Sequence, residues 1–248
     1  MSLARQTRER VLAAQSISAV DPAVEGGLAA SVRPQADAAA ATIATRLTHD
    51  LRRLKQIRSI ERKIDAKREM LPDYAGWIEG LLAADAGVGT GVAADVLPTI
   101  MVWAIDTGDF AHGLRLAAFL LRHKVAMPAR YQRDTATLVV EEIAEAALKA
   151  QAAGRGFPLD VLLTAEALTA ALDMHDAPRA KLWKAIGFER MKAAARAAPD
   201  AVDPTLTLAR DALRRARALD PRIGVTGKLN QLEKALAPPA PNRPAKAG

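Results

Sequence analysis

WAIDTGDFAHGL, residues 103–114, contains Asp-Thr-Gly (106–108), the triplet that carries the catalytic carboxylate of aspartic proteases. Such carboxylates work as a pair, and their loops belong to β folds. Here the triplet lies between two helical patterns, and there is no second copy. A metal site would need further ligands, and His112 is the only nearby candidate beyond Asp106 and Asp109. A turn between helices accounts for more of the residues. Gly108 suits the left-handed conformation that ends a helix. Asp109 suits the N-cap of the next helix, where a carboxylate accepts backbone N–H bonds and meets the positive end of the dipole. The pattern predicts one helix from about Asp95 to Thr107 and another from Phe110 to about Lys124, with Phe110 and Leu114 facing inward.

Gly-Asp-aromatic followed by the small Gly113 has the form of the inter-helix turn of a tetratricopeptide repeat. Ala209, Leu213, Ala216 and Pro221 have the spacing of that repeat's second helix. The two fragments are not separated by a multiple of the repeat length, so helical hairpins of that style are expected rather than a continuous array.

The composition agrees with helices. Of 248 residues, 50% are hydrophobic but only 4% aromatic, and Ala and Leu dominate. These are strong helix formers, while the residues that strands favour are sparse. The expected fold class is all-α. There is no cysteine, which excludes disulfides, Cys-ligated zinc and thiol catalysis. No apolar run is long enough to span a bilayer. The charged start MSLARQTRERVLAAQ lacks a signal-peptide core, so the chain is expected to stay in the compartment where it is made. A net charge of +7 and a pI near 9.9 favour a polyanionic partner, nucleic acid or an acidic protein surface.

Five segments are expected. Residues 1–36 form a short basic helix and a mobile linker, with Pro, Gly, Ser and Ala crowding 16–35. Residues 37–72 form a single basic, coiled-coil-like amphipathic helix, starting at the N-cap Asp37 and running to about Met70. Ile43, Leu47, Leu51, Leu54, Ile57, Ile60 and Ile64 make its apolar stripe, which needs a partner helix in this chain or another. Residues 73–153 form a central helical domain, in which Tyr74, Trp77, Ile78, Leu81 and Leu82 keep helical spacing before the glycine-rich break 86–95. Residues 154–236 form C-terminal helical hairpins, and 237–248 form a disordered Pro/Ala-rich tail.

The basic helix carries the main functional signal. Arg46, Arg52, Arg53, Lys55, Arg58, Arg62, Lys63, Lys67 and Arg68 are opposed only by Asp50, Glu61, Asp65 and Glu69. These nine cations are the candidate DNA-binding residues, suited to phosphate contacts. No aromatic residue interleaves with them, which argues against stacking on single strands. The bland alternative is a solvated coiled-coil exterior.

Other chemistry is thin. GVGTGV (87–92) lacks the Lys-Ser/Thr of a phosphate loop. His49, His112, His123 and His175 are dispersed, without metal-ligand spacing. Glu141 and Glu142 read as helix-start acids. No catalytic residue, metal ligand or cofactor is expected.

LPDYAGWIEGLL (71–82), VLPTIMVWAIDTGDFAHGLRLAAFLLRH (96–123), MPARYQRD (127–134) and VVEEIAEAAL (139–148) together resemble the small terminase subunit of temperate, contractile-tailed bacteriophages. The resemblance covers roughly residues 1–236, and its most specific part is Trp103 through Asp109. It implies a role in viral genome packaging in the cytoplasm of the infected bacterial host. The implied partners are double-stranded viral DNA at the packaging site, other copies in a ring-like homo-oligomer, and a large subunit that holds the ATPase and nuclease. Members carry the label terminase endonuclease subunit, yet no autonomous catalytic motif is present here. Two alternatives stay open. One is a subunit with its own metal-dependent endonuclease site, with Asp106, Asp109 and Glu142 the least implausible ligands. The other is a helical-repeat adaptor that binds mainly protein.

Overall fold

The computed structural model describes residues 3–18, 29–86, 88, 91–196 and 199–237. These residues form eleven α-helices and no strand, which makes the fold all-α as expected. The helices are α1 (Leu3–Ser18), α2 (Ala29–Gln56), α3 (Ile60–Met70), α4 (Ala75–Ala84), α5 (Val92–Thr107) and α6 (Phe110–Arg122). They continue with α7 (Thr135–Ala152), α8 (Leu159–Thr169), α9 (Asp176–Ala194), α10 (Pro199–Leu219) and α11 (Thr226–Ala235). Pro72 sits in a single 3₁₀ turn, Leu71–Asp73, between α3 and α4. Residues 19–28 of the expected linker, 87, 89 and 90 of the glycine-rich break, and 238–248 of the expected tail lie outside the described residues. Residues 29–35, also read as linker, belong to α2 instead.

The chain divides into two units, Met1–Glu142 with Ala167–Leu172, and Ile143–Glu166 with Asp173–Gly248.

In the first unit α5 is the central helix. Val96, Leu97, Ile100, Met101, Trp103, Ala104 and Ile105 are all buried, so it has no wide polar face. It packs against α2, α3 and α6. Trp103 meets Tyr74 edge to face, with ring centroids 5.9 Å apart. Burial and a 2.7 Å hydrogen bond from the Tyr74 hydroxyl to Asp50 hold that phenol protonated far above its ordinary range. Helix α1 lies on α4. Gly80 makes the approach possible, because a Cβ there would fall onto the Arg10 carbonyl and lie 2.7 Å from Ala13 Cβ.

The single helix expected over 37–70 is two helices. Residues 57–59 leave the helix, and Ser59 takes an extended conformation (φ −68°, ψ 129°). Its hydroxyl accepts from the Arg62 N–H at 3.3 Å, capping α3. Serine competes well for this role because its oxygen replaces a missing helical acceptor. The stripe itself carried the signal. Leu51, Leu54, Ile57 and Ile60 follow one another at three-residue spacing. Each such step rotates a straight helix face by about 60°, so these four cannot share one side. Ile43, Leu47 and Leu54 are buried, and α2 packs on α1 and α5 of the same chain, whereas Ile60 is 74% exposed.

In the second unit α9 packs on α10, and α10 on α11. Gly187 admits Leu213, whose Cγ would lie 2.6 Å from any added Cβ. Ala209, Leu213, Val225, Leu229 and Leu232 form a buried cluster there. Gln151 Nε2 donates to the Ala185 carbonyl at 3.0 Å and to buried Glu189 at 2.8 Å.

Candidate nucleic-acid interface

The nine candidate cations divide by what their neighbours do with them. Arg46 lies over the Tyr74 ring, 5.9 Å from its centroid, and donates to the Asp73 carbonyl at 2.6 Å. Arg53 pairs with Glu69 at 2.7 Å, so α2 and α3 are joined by an ion pair. Arg68 pairs with Asp65 at 2.8 Å on its own helix. Lys67 donates to the Asp106 carboxylate, with both side chains mostly buried. These four are engaged within the fold.

The other five, Arg52, Lys55, Arg58, Arg62 and Lys63, form no ion pair or side-chain hydrogen bond among the described residues. The first four are exposed and Lys63 is half-buried. They occupy the last turns of α2, the break at 57–59 and the first turn of α3. Within 52–63 Glu61 is the single carboxylate. Arg62 and Lys63 near the N-terminus of α3 sit at the positive end of the helix dipole, where a cation is disfavoured and an anion welcome. The break therefore gathers positive charge that Glu61 offsets only in part and that no ion pair among the described residues engages.

The DTGDF segment folds as the turn its residues predict. Gly108 adopts φ 85° and ends α5. The Gly108 N–H donates to Ile105 O at 3.0 Å, and the Asp109 N–H to Ala104 O at 2.9 Å, the paired bonds of a glycine-terminated helix. The Asp109 carboxylate accepts from the His112 N–H at 3.2 Å. Gly113 lets α6 approach Ile105, 2.7 Å from where its Cβ would be. Asp106 is held by Lys67, Asp109 caps α6, and Glu142 lies half-buried on α7. Among the described residues no three His, Asp or Glu side chains are grouped to hold a metal ion.

His123 packs against Phe119 with the rings tilted by 45° and their centroids 4.4 Å apart, and its Nε2 lies 3.0 Å from Asp85. That hydrogen bond, helped by Arg122, holds the Asp85 carboxyl below the ordinary carboxylate range. His49 and His175 are exposed and His112 is half-buried.

A family model described as the phage small terminase subunit matches residues 44–177, more than half of the chain. The "Terminase, endonuclease subunit" of Escherichia phage P2 is 37% identical over 203 residues, covering 82% of this chain and 76% of that protein. The chain belongs to the phage small terminase subunit family. No solved structure matches it. In this small terminase subunit the unpaired cations at 52–63 and the 106–110 turn both lie inside the family match, whereas α10 and α11 lie beyond it.

Sequence reasoning missed two features of the subunit. One is the docking of α1 through Gly76 and Gly80, signalled by two glycines four apart on one helix face. The other is the basic surface of the second unit. Arg215, Arg217, Arg222, Lys228 and Lys234 are exposed there, while Arg214 is paired with Glu233 at 2.7 Å. Its signal was the run ARDALRRARALDPR (209–222), with five arginines beyond the first alanine.

Proposed function

We propose that this terminase small subunit binds double-stranded viral DNA at the packaging site through the α2–α3 corner, in the cytoplasm of the infected host. The observation that carries the reading is the set of five cations without ion-pair or side-chain hydrogen-bond partners among the described residues, Arg52, Lys55, Arg58, Arg62 and Lys63. Phosphate contacts by such residues supply most of the affinity of a DNA-binding protein and position it on the duplex. A ring-like homo-oligomer would repeat the corner and raise avidity by effective concentration. The same assembly would recruit and regulate the large ATPase-nuclease subunit. Among the described residues no helix is long and apolar enough to cross a membrane.

The test is equilibrium binding to duplex DNA over a salt series, with the Arg52→Glu/Arg58→Glu/Arg62→Glu variant beside the parent chain. Weaker binding with a shallower salt slope supports the corner. Unchanged affinity in a folded variant overturns it. The native mass, set against the 26.4 kDa chain, tests the ring.

The name of the phage P2 relative, "Terminase, endonuclease subunit", favours a second reading, a subunit that cleaves DNA itself. Divalent-metal-dependent cleavage by the purified chain, abolished by Asp106→Ala, Asp109→Ala or Glu142→Ala without loss of folding, would establish it. Cleavage that survives all three changes would remove these residues from the reaction.

A further inference from the structure

Ile60 is 74% exposed, against 39–49% for the other exposed large hydrophobic residues, Val11, Leu172 and Leu208. It opens α3 directly after the Ser59 cap. Exposed Arg58 and Arg62 flank it in sequence, with Lys55 and Arg52 on the adjoining end of α2. A single exposed isoleucine is ordinary on a protein surface. An isoleucine this exposed, set among five unpaired cations, is a different environment. Lysine or glutamate at position 60 would be better solvated.

The candidates to cover it are duplex DNA, another copy of this chain and the large subunit, and the surface chemistry favours DNA. A two-fold contact between identical corners would bring five further cations, unpaired among the described residues, toward these five, with one Glu61 per chain to offset them. That self-contact is repulsive. Duplex DNA satisfies both halves of the surface, since phosphates meet the cations and the stacked bases offer an apolar slot. Proteins that pair cationic phosphate contacts with an inserted apolar side chain unstack a base step and kink the duplex by about 20–90°.

We propose that Ile60 is a wedge, inserted between base pairs at a flexible step while Arg52, Lys55, Arg58 and Arg62 hold the flanking phosphates. The packaging DNA is then bent where this subunit binds, and sequence preference arises from how easily a step unstacks. This rests on the reading that the α2–α3 corner meets DNA.

The test uses the full chain and a duplex with donor and acceptor dyes at its ends and 2-aminopurine replacing adenine at its central steps. The parent chain should raise both end-to-end energy transfer and 2-aminopurine fluorescence. Ile60→Ala, a change at an exposed position that leaves the core intact, should lose both signals while keeping affinity within about threefold, because the phosphate contacts remain. Ile60→Phe should retain them. Equal bending by Ile60→Ala and the parent overturns the wedge. So does a change in native mass on Ile60→Ala, which would make Ile60 a subunit contact. Arg58→Glu/Arg62→Glu separates the two levels. If it binds as the parent does, the corner reading fails and the wedge with it. If it loses binding while the parent leaves the duplex straight, the corner stands and the wedge alone falls.

Discussion

The Lys67 ammonium pairs with the Asp106 carboxylate across 39 residues of sequence, and the two side chains are only 17% and 25% exposed. The pair fixes the first residue of the DTGDF segment to α3. Removing one partner leaves the other charge partly desolvated. Lys67→Met should therefore lower stability by about 1–3 kcal/mol, between the values for surface and fully buried pairs. Urea unfolding measures it. The same variant should bind DNA as the parent does, because Lys67 faces Asp106 rather than solvent. A large loss of DNA affinity in a stable Lys67→Met protein would contradict this placement.

Asp134 caps α7, accepting from the Thr137 N–H at 2.9 Å and the Thr137 hydroxyl at 2.7 Å. Burial pushes its carboxyl upward, but these bonds and those from neighbouring backbone N–H groups outweigh it and hold it below the ordinary carboxylate range. The unfolded chain then takes up a proton more readily than the folded one. Its contribution is complete at neutral pH and is lost as pH falls from the ordinary carboxylate value through the lowered folded one. Asp134→Asn keeps a capping oxygen and should flatten the acid side of the stability–pH curve. Asp134→Ala should cost about 1 kcal/mol at neutral pH. Chemical denaturation across a pH series checks both.

Gly80 sits where α4 touches the Arg10 carbonyl of α1. Backbone cannot swing aside as a flexible side chain can. Gly80→Ala should destabilise the chain by about 1–3 kcal/mol through overpacking. Hydrogen exchange should show the loss concentrated in residues 3–18, with α5 and α6 protected as before. Uniformly faster exchange would mean that α1 docking and the α5 core unfold together.

Arg52→Ala/Arg58→Ala removes two exposed cations that hold no partner among the described residues. Stability should change by no more than about 0.5 kcal/mol, as for surface changes away from special features. The slope of log affinity against log salt should fall by about 1.8, two phosphate contacts at about 0.9 each. Arg46→Ala should behave in the opposite way, losing stability through its contacts with Tyr74 and the Asp73 carbonyl.

Composition and local pattern were enough for the helical class, the turn at Gly108 and Asp109, and the stretch where positive charge collects. Each depends on neighbours within a few residues: a left-handed glycine, a capping carboxylate, a period of apolar residues. The break at 57–59 was legible in principle, in the run of three-residue spacings from Leu51 to Ile60, but one apolar stripe masked it.

Sequence alone therefore determined what kind of elements this chain builds and where its cations lie. Only the tertiary structure decided which cations are available. Arg46, Arg53 and Lys67 look like Arg52, Arg58 and Arg62 in the sequence, yet the first three are engaged by the Asp73 carbonyl, Glu69 and Asp106, groups 16 to 39 residues away. The same holds for Ile60, which belongs to the apolar stripe by spacing and to the surface by packing. The physical reason is shared. Helix period and capping are set by the chain's own next few residues, whereas charge pairing and burial depend on segments that come together only after the helices have packed.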